Sequence, residues 1–447
     1  MTSICFYFEV HQPFRIKPYG YFQIGHDPFY LDDNKNYAVL RKVSDKCYLP
    51  TTNLLLELIE RYKGRFKVSF SLTGVLIEQF KMWYPEVLDN FKKLADTGCV
   101  EFLGETYYHS LSSIIEEEEF RKQVKMHTKL IQDEFGQTPK AFRNTELVYS
   151  DHIAYLAKDM GFKTILAEGA ERLLHWRTPN YVYKPEHTEG IKCLLKNYKL
   201  SDDIAFRFSE RGWKEFPLTA EKYSNWVHSI AGDGQTVNLF MDFETFGEHQ
   251  WEDSGIFNFL NHLPEKIFQH PDFEFETVSA VSEKYEPVGT IATSDLVSWA
   301  DIERDISAWL GNSIQQEAFH SLYELKNEVY ALNDPGFLDT FRKLQTSDHF
   351  YYMCTKYFND GDVHKYFNPY SSPYDAYIYF MNVLQDFRQR MKYARTAKEN
   401  STKINKRKNV SSKVKNKVKK GLPAIEKPDG LFLRKEIQIE KPQLQTA

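Results

Sequence analysis

Up to about residue 290 the chain repeats one pattern: a short apolar run, a polar loop, then a segment of helical period. Seven runs predict strands, at residues 4–10, 67–72, 100–103, 141–145, 164–167, 192–197 and 237–242. Between them, "TTNLLLELIERY" places Leu55, Leu58 and Ile59 on one helical face behind a Thr/Asn start, and "DHIAYLAKDMGF" opens on an Asp cap and closes at Gly161. Strands that alternate with helices run parallel, and about seven of them imply an α/β fold closed, or nearly closed, as an incomplete TIM-like (β/α)7 barrel. An open doubly wound sheet is the competing arrangement, but no G-x-G-x-x-G follows the first strand.

From about Ser294 to Tyr393 the pattern turns helical. Ile302, Ile306, Leu310, Ile314, Ala318, Leu322, Leu325 and Val329 step at helical spacing with polar residues between them. The expected organisation is a barrel over residues 1–290, a helical domain over 291–395 that contributes to the cleft, and a basic, disordered tail over 396–447. The tail follows from "KENSTKINKRKNVSSKVKNKVKKGLP", which has few apolar side chains to bury.

Charge sharpens this division. Residues 396–420 carry a net +9, so a chain of net −5 leaves −14 on the remainder. An acidic body argues against a nucleic-acid channel, and the tail would meet an anionic partner only through non-specific attraction. Five scattered cysteines without a C-x-x-C pair suit reduced thiols and a cytoplasmic protein. The start, "MTSICFYFEVHQPF", lacks a basic n-region and has its apolar run broken at Glu9, so it predicts a first strand and not a signal peptide. No apolar stretch approaches the roughly 18 residues of a membrane span. Aromatic residues make up 15% of the chain, a high share that packing explains for the most part, and aromatic faces also suit the C–H surface of sugar rings.

The chemistry clusters at strand ends. "VNLFMDFETFGEHQ" runs an apolar strand into Asp242, Glu244, Glu248 and His249. The first strand ends in "HQPFR" with His11, the third in "GETYYHS" with Glu105 and His109, and the fourth in "TELVYSD" with Glu146 and Tyr149. The fifth ends in "EGAE", with Glu168 and Glu171. In a βα barrel these ends converge on one face, where active sites lie. Two carboxylates without metal-ligand spacing suit glycoside hydrolysis through a nucleophile and a general acid. Arg143 and Asn144 can hold Glu146 ionised, while Met241, Phe243 and Phe246 would keep Asp242 protonated. If the last strand extends, Glu244 shares a face with Asp242 and is the rival acid, or a repulsive neighbour.

These motifs resemble glycoside hydrolase family 57, and within it the α-amylase-like members. "HQPFR", "GETYYHSL", "RNTEL", "MDFETFGEHQ" and "SWADIERDISAWLGN" are similar to its five motifs, in order, over roughly residues 1 to 395. The resemblance implies a (β/α)7 barrel with a C-terminal helical domain, and retaining action on α-1,4-glucans of starch or glycogen type without metal or cofactor. It implies Glu146 as nucleophile and Asp242 as acid/base. His11, His109, Glu105, Glu244, Trp299 and Asp301 are implied around the sugar, with Glu105 and Glu244 orienting the catalytic pair. Trp299 can stack on a sugar ring or anchor a core, and Trp309 lies on the apolar stripe. The basic tail falls outside the family pattern.

Other readings share this scaffold. A 4-α-glucanotransferase or a glucan-branching enzyme would use the same covalent intermediate. A metal-dependent deacetylase needs an H-x-D ligand pair, which "HQP" does not supply. A glucan-binding protein that had lost turnover would be expected to lack one of the two carboxylates.

Overall fold

The computed structural model describes residues 1–356 and 363–419, with side chains to residue 400. Ten strands occur among them: β1 (Thr2–Val10), β2 (Val68–Leu72), β3 (Val100–Phe102), β4 (Ala141–Phe142), β5 (Thr164–Glu168), β6 (Val182–Pro185), β7 (Lys192–Lys196), β8 (Thr236–Asp242), β9 (Phe273–Phe275) and β10 (Thr290–Ile291). The seven expected strands are β1 to β5, β7 and β8, and all their mutual pairings are parallel.

Two strand sets make the wall. One runs β3-β2-β1-β8 and the other includes β7-β5-β4. Gly104 joins them on one side, its N–H donating to Ala141 and its carbonyl accepting from Arg143, both at 2.9 Å. Asn238 joins them on the other, with its side chain donating to the Leu195 carbonyl at 2.8 Å and its own carbonyl accepting from Asn197 at 2.9 Å. The (β/α)7 barrel is thereby closed. The short strands β6, β9 and β10 were not expected. β6 folds back antiparallel on β7, and β9 pairs with Thr2–Ile4 below the point where β2 begins.

Strand alternation explains the core. On β1, Ile4, Phe6, Phe8 and Val10 face the helices, among Phe70, Phe102, Leu239, Met241 and Phe243. Cys5 and Tyr7 face the barrel interior with Leu103, Ala141, Leu166, Leu194 and Phe240. Glu9 continues that inward series, so it does not break the strand; it ends the apolar filling. Strands buried on both faces are expected in a parallel barrel.

Several local expectations need correction. The helix expected at "TTNLLLELIERY" starts at Leu49 behind a continuous helical run from Asp33, so Thr51 and Thr52 lie inside it and are buried. Ser150, whose side chain accepts from Ile153 N–H, caps the helix Asp151–Asp159; Asp151 does not. Ile302 is 83% exposed and precedes the first helix of the C-terminal series, because the helical spacing there runs across separate short helices. These are Ser307–Leu310, Ser313–Tyr323 and Lys326–Leu332, and Pro335–Lys343 and Ser347–Tyr351 follow them. Residues 1–391 form one compact unit, so the change of pattern near 290 is a change of architecture within it.

The last helix, Pro373–Lys419, carries regular backbone past residue 396, where composition predicts disorder. Lysine and arginine are good helix formers and extend a helix without an apolar face. The rest of the expected tail, 420–447, lies outside the described residues. Among the described residues no helix is long and apolar enough to cross a membrane.

Gly247 shows how tightly the loop after β8 is set. Its φ is +115°, and a Cβ there would come within 2.0 Å of the Lys46 carbonyl oxygen. Gly98 has φ +68° but open space around it. Gly247→Ala is therefore expected to cost at least ~2 kcal/mol more than Gly98→Ala, which carries only the ~1 kcal/mol of a left-handed backbone. Urea denaturation of the two variants measures the difference; equal midpoints would refute the close approach.

Candidate active site

Parallel register puts Glu9 of β1 beside Asp242 of β8, both at the C-terminal mouth of the barrel. Glu146 lies on the turn after β4, in left-handed backbone with φ 57°. Its carboxylate is held from several directions. The Ser347 hydroxyl donates to Oε1 at 2.8 Å, the Trp299 indole N–H donates to Oε2 at 3.1 Å, and His109 Nε2 lies 3.3 Å from Oε1. Burial pushes its pKa up, but the His109 hydrogen bond and charge, with Arg143, outweigh this and leave it below the ordinary carboxylate value. Asn144, expected to help, instead donates to Ser113 Oγ and the Val148 carbonyl.

Asp242 is the opposite case. Among the described residues its carboxyl has no hydrogen bond. Burial and the charges of Glu146 and Glu9 push its pKa up to about 7, against the pull of Arg143 and Lys196. The direction and its leading cause, burial, match the sequence reading, but the residues around the carboxyl differ. Alternation puts Met241 on the helix-facing side of β8, and Phe243, just past the strand, packs on that side among Phe8 and Phe70. The strand also ends at Asp242, so Glu244 does not share its face as an extended strand would require. Glu244 accepts a hydrogen bond from the Tyr48 hydroxyl, and burial and Asp242 raise its pKa to about 8.

His109 links the carboxylates. Burial opposes its protonation, yet Glu105 and Glu146 overcome this and raise its pKa to about 10, so both ring nitrogens carry protons at neutral pH. Nδ1 lies 3.3 Å from Glu105 Oε2 and 3.6 Å from Glu9 Oε1. Glu105 is fully buried at that edge of the ring, and burial and Glu9 raise its pKa. His11 stacks on His109 with centroids 4.0 Å apart. Burial and that neighbouring cation lower its pKa, so it is neutral at pH 7. Ionised Asp348 accepts at 2.9 Å from Nε2–H, which leaves Nδ1 to accept from the Thr73 hydroxyl, also at 2.9 Å.

The helical region supplies the remaining parts. Ser347 N–H donates to the His109 carbonyl and Thr346 Oγ1 to the Tyr108 carbonyl, which brings Ser347 and Asp348 over the mouth. Tyr149, buried, bridges antiparallel to Val297, and Ser298 Oγ donates to the Glu146 carbonyl at 2.8 Å. Trp299 follows, its ring 4.7 Å from the Arg143 guanidinium and 5.6 Å from Lys196 Nζ. Asp301 is engaged by His364 at 2.9 Å and Lys356 at 3.2 Å. Trp309 is buried against Tyr351. Lys196, Glu168, Asp202 and Arg304 form a second ionic group beside Trp299, and Glu171 lies outside it, accepting from Tyr198.

Glu9, Ser347 and Asp348 escaped the sequence reading. Glu9 carries a signal in retrospect, because it sits two residues before His11 in inward register; Ser347 and Asp348, in "TSDHF", carry none. Glu9, Glu105 and His109 also bring ligand atoms within 4.8 Å of one another, as metal sites do. A metal would need a deprotonated imidazole, whereas His109 holds its proton strongly and Arg143 Nε already lies 3.4 Å from Glu9. This set fits internal ion pairing better than a cation.

The glycosyl hydrolase family 57 model matches residues 5–294. The chain belongs to this family. It is 46% identical over 418 residues, 91% of this chain and 88% of the relative, to a protein of Methanocaldococcus jannaschii described as "Putative alpha-amylase". Two solved structures share its fold. A family 57 branching enzyme of Pyrococcus horikoshii has a TM-score of 0.62 at 16% identity, over 82% of this chain and 87% of that one. An α-amylase of Thermotoga maritima has a TM-score of 0.56 at 15% identity, over 88% and 96%. The protein is thus a glycoside hydrolase by family.

Glu9→Gln removes a negative charge beside Asp242 while keeping the side-chain shape. The Asp242 carboxyl should then lose its proton at lower pH than in the wild type. Difference infrared titration, with the band identified by its loss in Asp242→Asn, measures this. An unchanged titration would mean that burial and Glu146 alone set the acid.

Proposed function

We propose that the protein is a retaining α-amylase that cleaves α-1,4 bonds of starch- or glycogen-type glucans, with Glu146 as nucleophile and Asp242 as acid/base. The observation that carries this reading is the opposite tuning of two neighbouring carboxyls. Glu146 is held ionised by His109, while Asp242 is kept protonated to about pH 7. Such a pair can attack an anomeric carbon from one side and protonate the leaving oxygen from the other. The charge left on Asp242 after proton donation equips it to activate the water that releases the glycosyl-enzyme. The relative described as a putative α-amylase, matched over most of both chains, supports the substrate class.

Around this pair, His11 and Trp299 are proposed sugar contacts, and His109, Glu105 and Glu244 set the charge and orientation of the carboxyls. Asp301 acts through the segment it ties to His364 and Lys356. The barrel of residues 1–290 carries the chemistry, and the helical segment 291–395 completes the cleft. The five cysteines are free and buried, which fits a cytoplasmic setting.

Glu146→Gln should lower turnover by at least ~10³-fold while leaving glucan binding, because it removes the attacking oxygen and keeps the shape. Asp242→Asn should lose most on substrates with poor leaving groups, and azide should trap its glycosyl intermediate. In the wild type, kcat/KM should fall as pH rises through about 7, where Asp242 loses its proton, and again at acid pH below the ordinary carboxylate range, where Glu146 gains one. Proton NMR should show the α-anomer released first. A β-anomer, or full activity in Glu146→Gln, would overturn the assignment. With maltopentaose, rising reducing ends support hydrolysis; longer oligomers at constant reducing value would mean 4-α-glucanotransfer.

Truncation after Arg395 removes the basic segment, to which we assign only non-specific contact with an anionic partner. Turnover on soluble starch should persist, checked by reducing-sugar release; loss of folded protein would show that the segment stabilises the body.

A further inference from the structure

Outside the catalytic residues, a groove of about 1060 Å³ lies between the helices Leu49–Arg61 and Ile256–Ile267 and the loop after β8. Trp251, 58% exposed, stands on that loop, with Lys46 Nζ 5.1 Å from its ring centroid. Amides and carboxylates, among them Asn53, Glu57, Asn258 and Asn261, line the same groove. We propose that this groove is a second glucan-binding site that holds a strand of the polymeric substrate beside the catalytic mouth. The proposal rests on the α-glucan reading above.

Three observations point to a neutral polyhydroxyl chain. First, an exposed indole offers an apolar face to sugar C–H groups, while the surrounding amides and carboxylates meet hydroxyls as donors and acceptors. Second, the lining mixes four carboxylates with two cations, a field too divided to select a strongly charged partner. Third, the groove is preformed. Gly247 packs on the Lys46 carbonyl, Thr51 Oγ1 donates to the Phe246 carbonyl at 3.0 Å, and Cys47 Sγ lies 3.2 Å from the Phe243 carbonyl. A ligand there pays little to order the site.

The groove is also linked to the site along the chain. The segment from Phe243 to Trp251 starts at Asp242, is tied to the helical run at Tyr48 through Glu244, and ends at the exposed indole. A chain held at Trp251 therefore raises the local concentration of scissile bonds at the barrel mouth, an effect a short oligosaccharide cannot exploit.

Affinity electrophoresis in glycogen-containing gels tests this on the full chain. Trp251→Ala, and independently Asn258→Ala, should weaken retardation by glycogen at least fivefold. KM for glycogen should rise by a similar factor, while kcat/KM for maltopentaose stays unchanged. Equal retardation of wild type and both variants overturns the proposal, as does a matching loss on maltopentaose, which would place Trp251 in the catalytic cleft. Wild type that is not retarded at all also overturns it. Retardation is read without turnover, so an inactive wild type, or a fully active Glu146→Gln, would sink the catalytic assignment and leave this test standing.

Discussion

Two carboxyls forced side by side by strand register, Glu9 and Asp242, set the problem that the rest of the mouth answers. Parallel pairing of β1 with β8 fixes their proximity, with Glu9 buried and Asp242 partly so at the mouth. Uncompensated, neighbouring buried carboxylates would either both protonate or unfold the strand ends. The protein answers with asymmetry. Glu9 receives the Tyr7 hydroxyl at 2.6 Å, with Arg143 at 3.4 Å and His109 at 3.6 Å from its oxygens, while Asp242 has no hydrogen bond among the described residues. Partners are therefore gathered on one strand and withheld from its neighbour.

The same asymmetry reaches Glu146 through His109, whose imidazolium stands between Glu9, Glu105 and the candidate nucleophile. Arg143 stabilises the group as a whole, and it does so by charge and by its place against the Trp299 ring: Nε, Nη1 and Nη2 have no hydrogen-bond partner among the described residues. Such a lattice is costly to bury and costlier to break at one member, so its worth is measured in the protonation states it selects and not in stability. Lys196, held by Glu168 and Asp202, keeps a second cation close enough to moderate Asp242. The acid is thus poised near neutrality between opposing charges.

The sequence made the strand ends legible because inward polar residues at the end of an apolar run have one place to go in a barrel. Glu146, Asp242, His11, His109 and Glu105 all come together on that ground. The environment of each was less legible. Met241 alternates to the other side of the strand and Phe243 turns into the same helix-side core, so neither is the shell of Asp242, while Glu9, its register partner, is. The donors on Glu146 arrive from Trp299 and Ser347, more than 150 positions away in chain order for the former and about 200 for the latter, and no periodicity announces a hydroxyl that becomes a ligand only through tertiary folding. The helical spacing from Ile302 onward misled for a related reason: short helices separated by turns can keep a helical phase that no single helix uses.

Backbone strain ties these distant pieces to one another. Among the described residues, eight non-glycine positions have positive φ, and five of them, His109, Glu146, Leu147, Asp301 and Arg304, belong to or adjoin the site. Each costs roughly 1–3 kcal/mol and persists only where its surroundings over-determine it. At Glu146 that determination is explicit: the backbone carbonyl is held by Ser298, the carboxylate by Ser347, Trp299 and His109, and Leu147 is buried in the barrel core behind it. His109 is fixed likewise, by its carboxylates on one edge and by Ser347 N–H on its carbonyl. Ser347 therefore touches both strained residues and can relax neither alone. The helical segment is in this sense the clamp that lets the barrel hold a nucleophile in a conformation the isolated β4 turn would abandon, and this explains why barrel and helical segment form one compact unit.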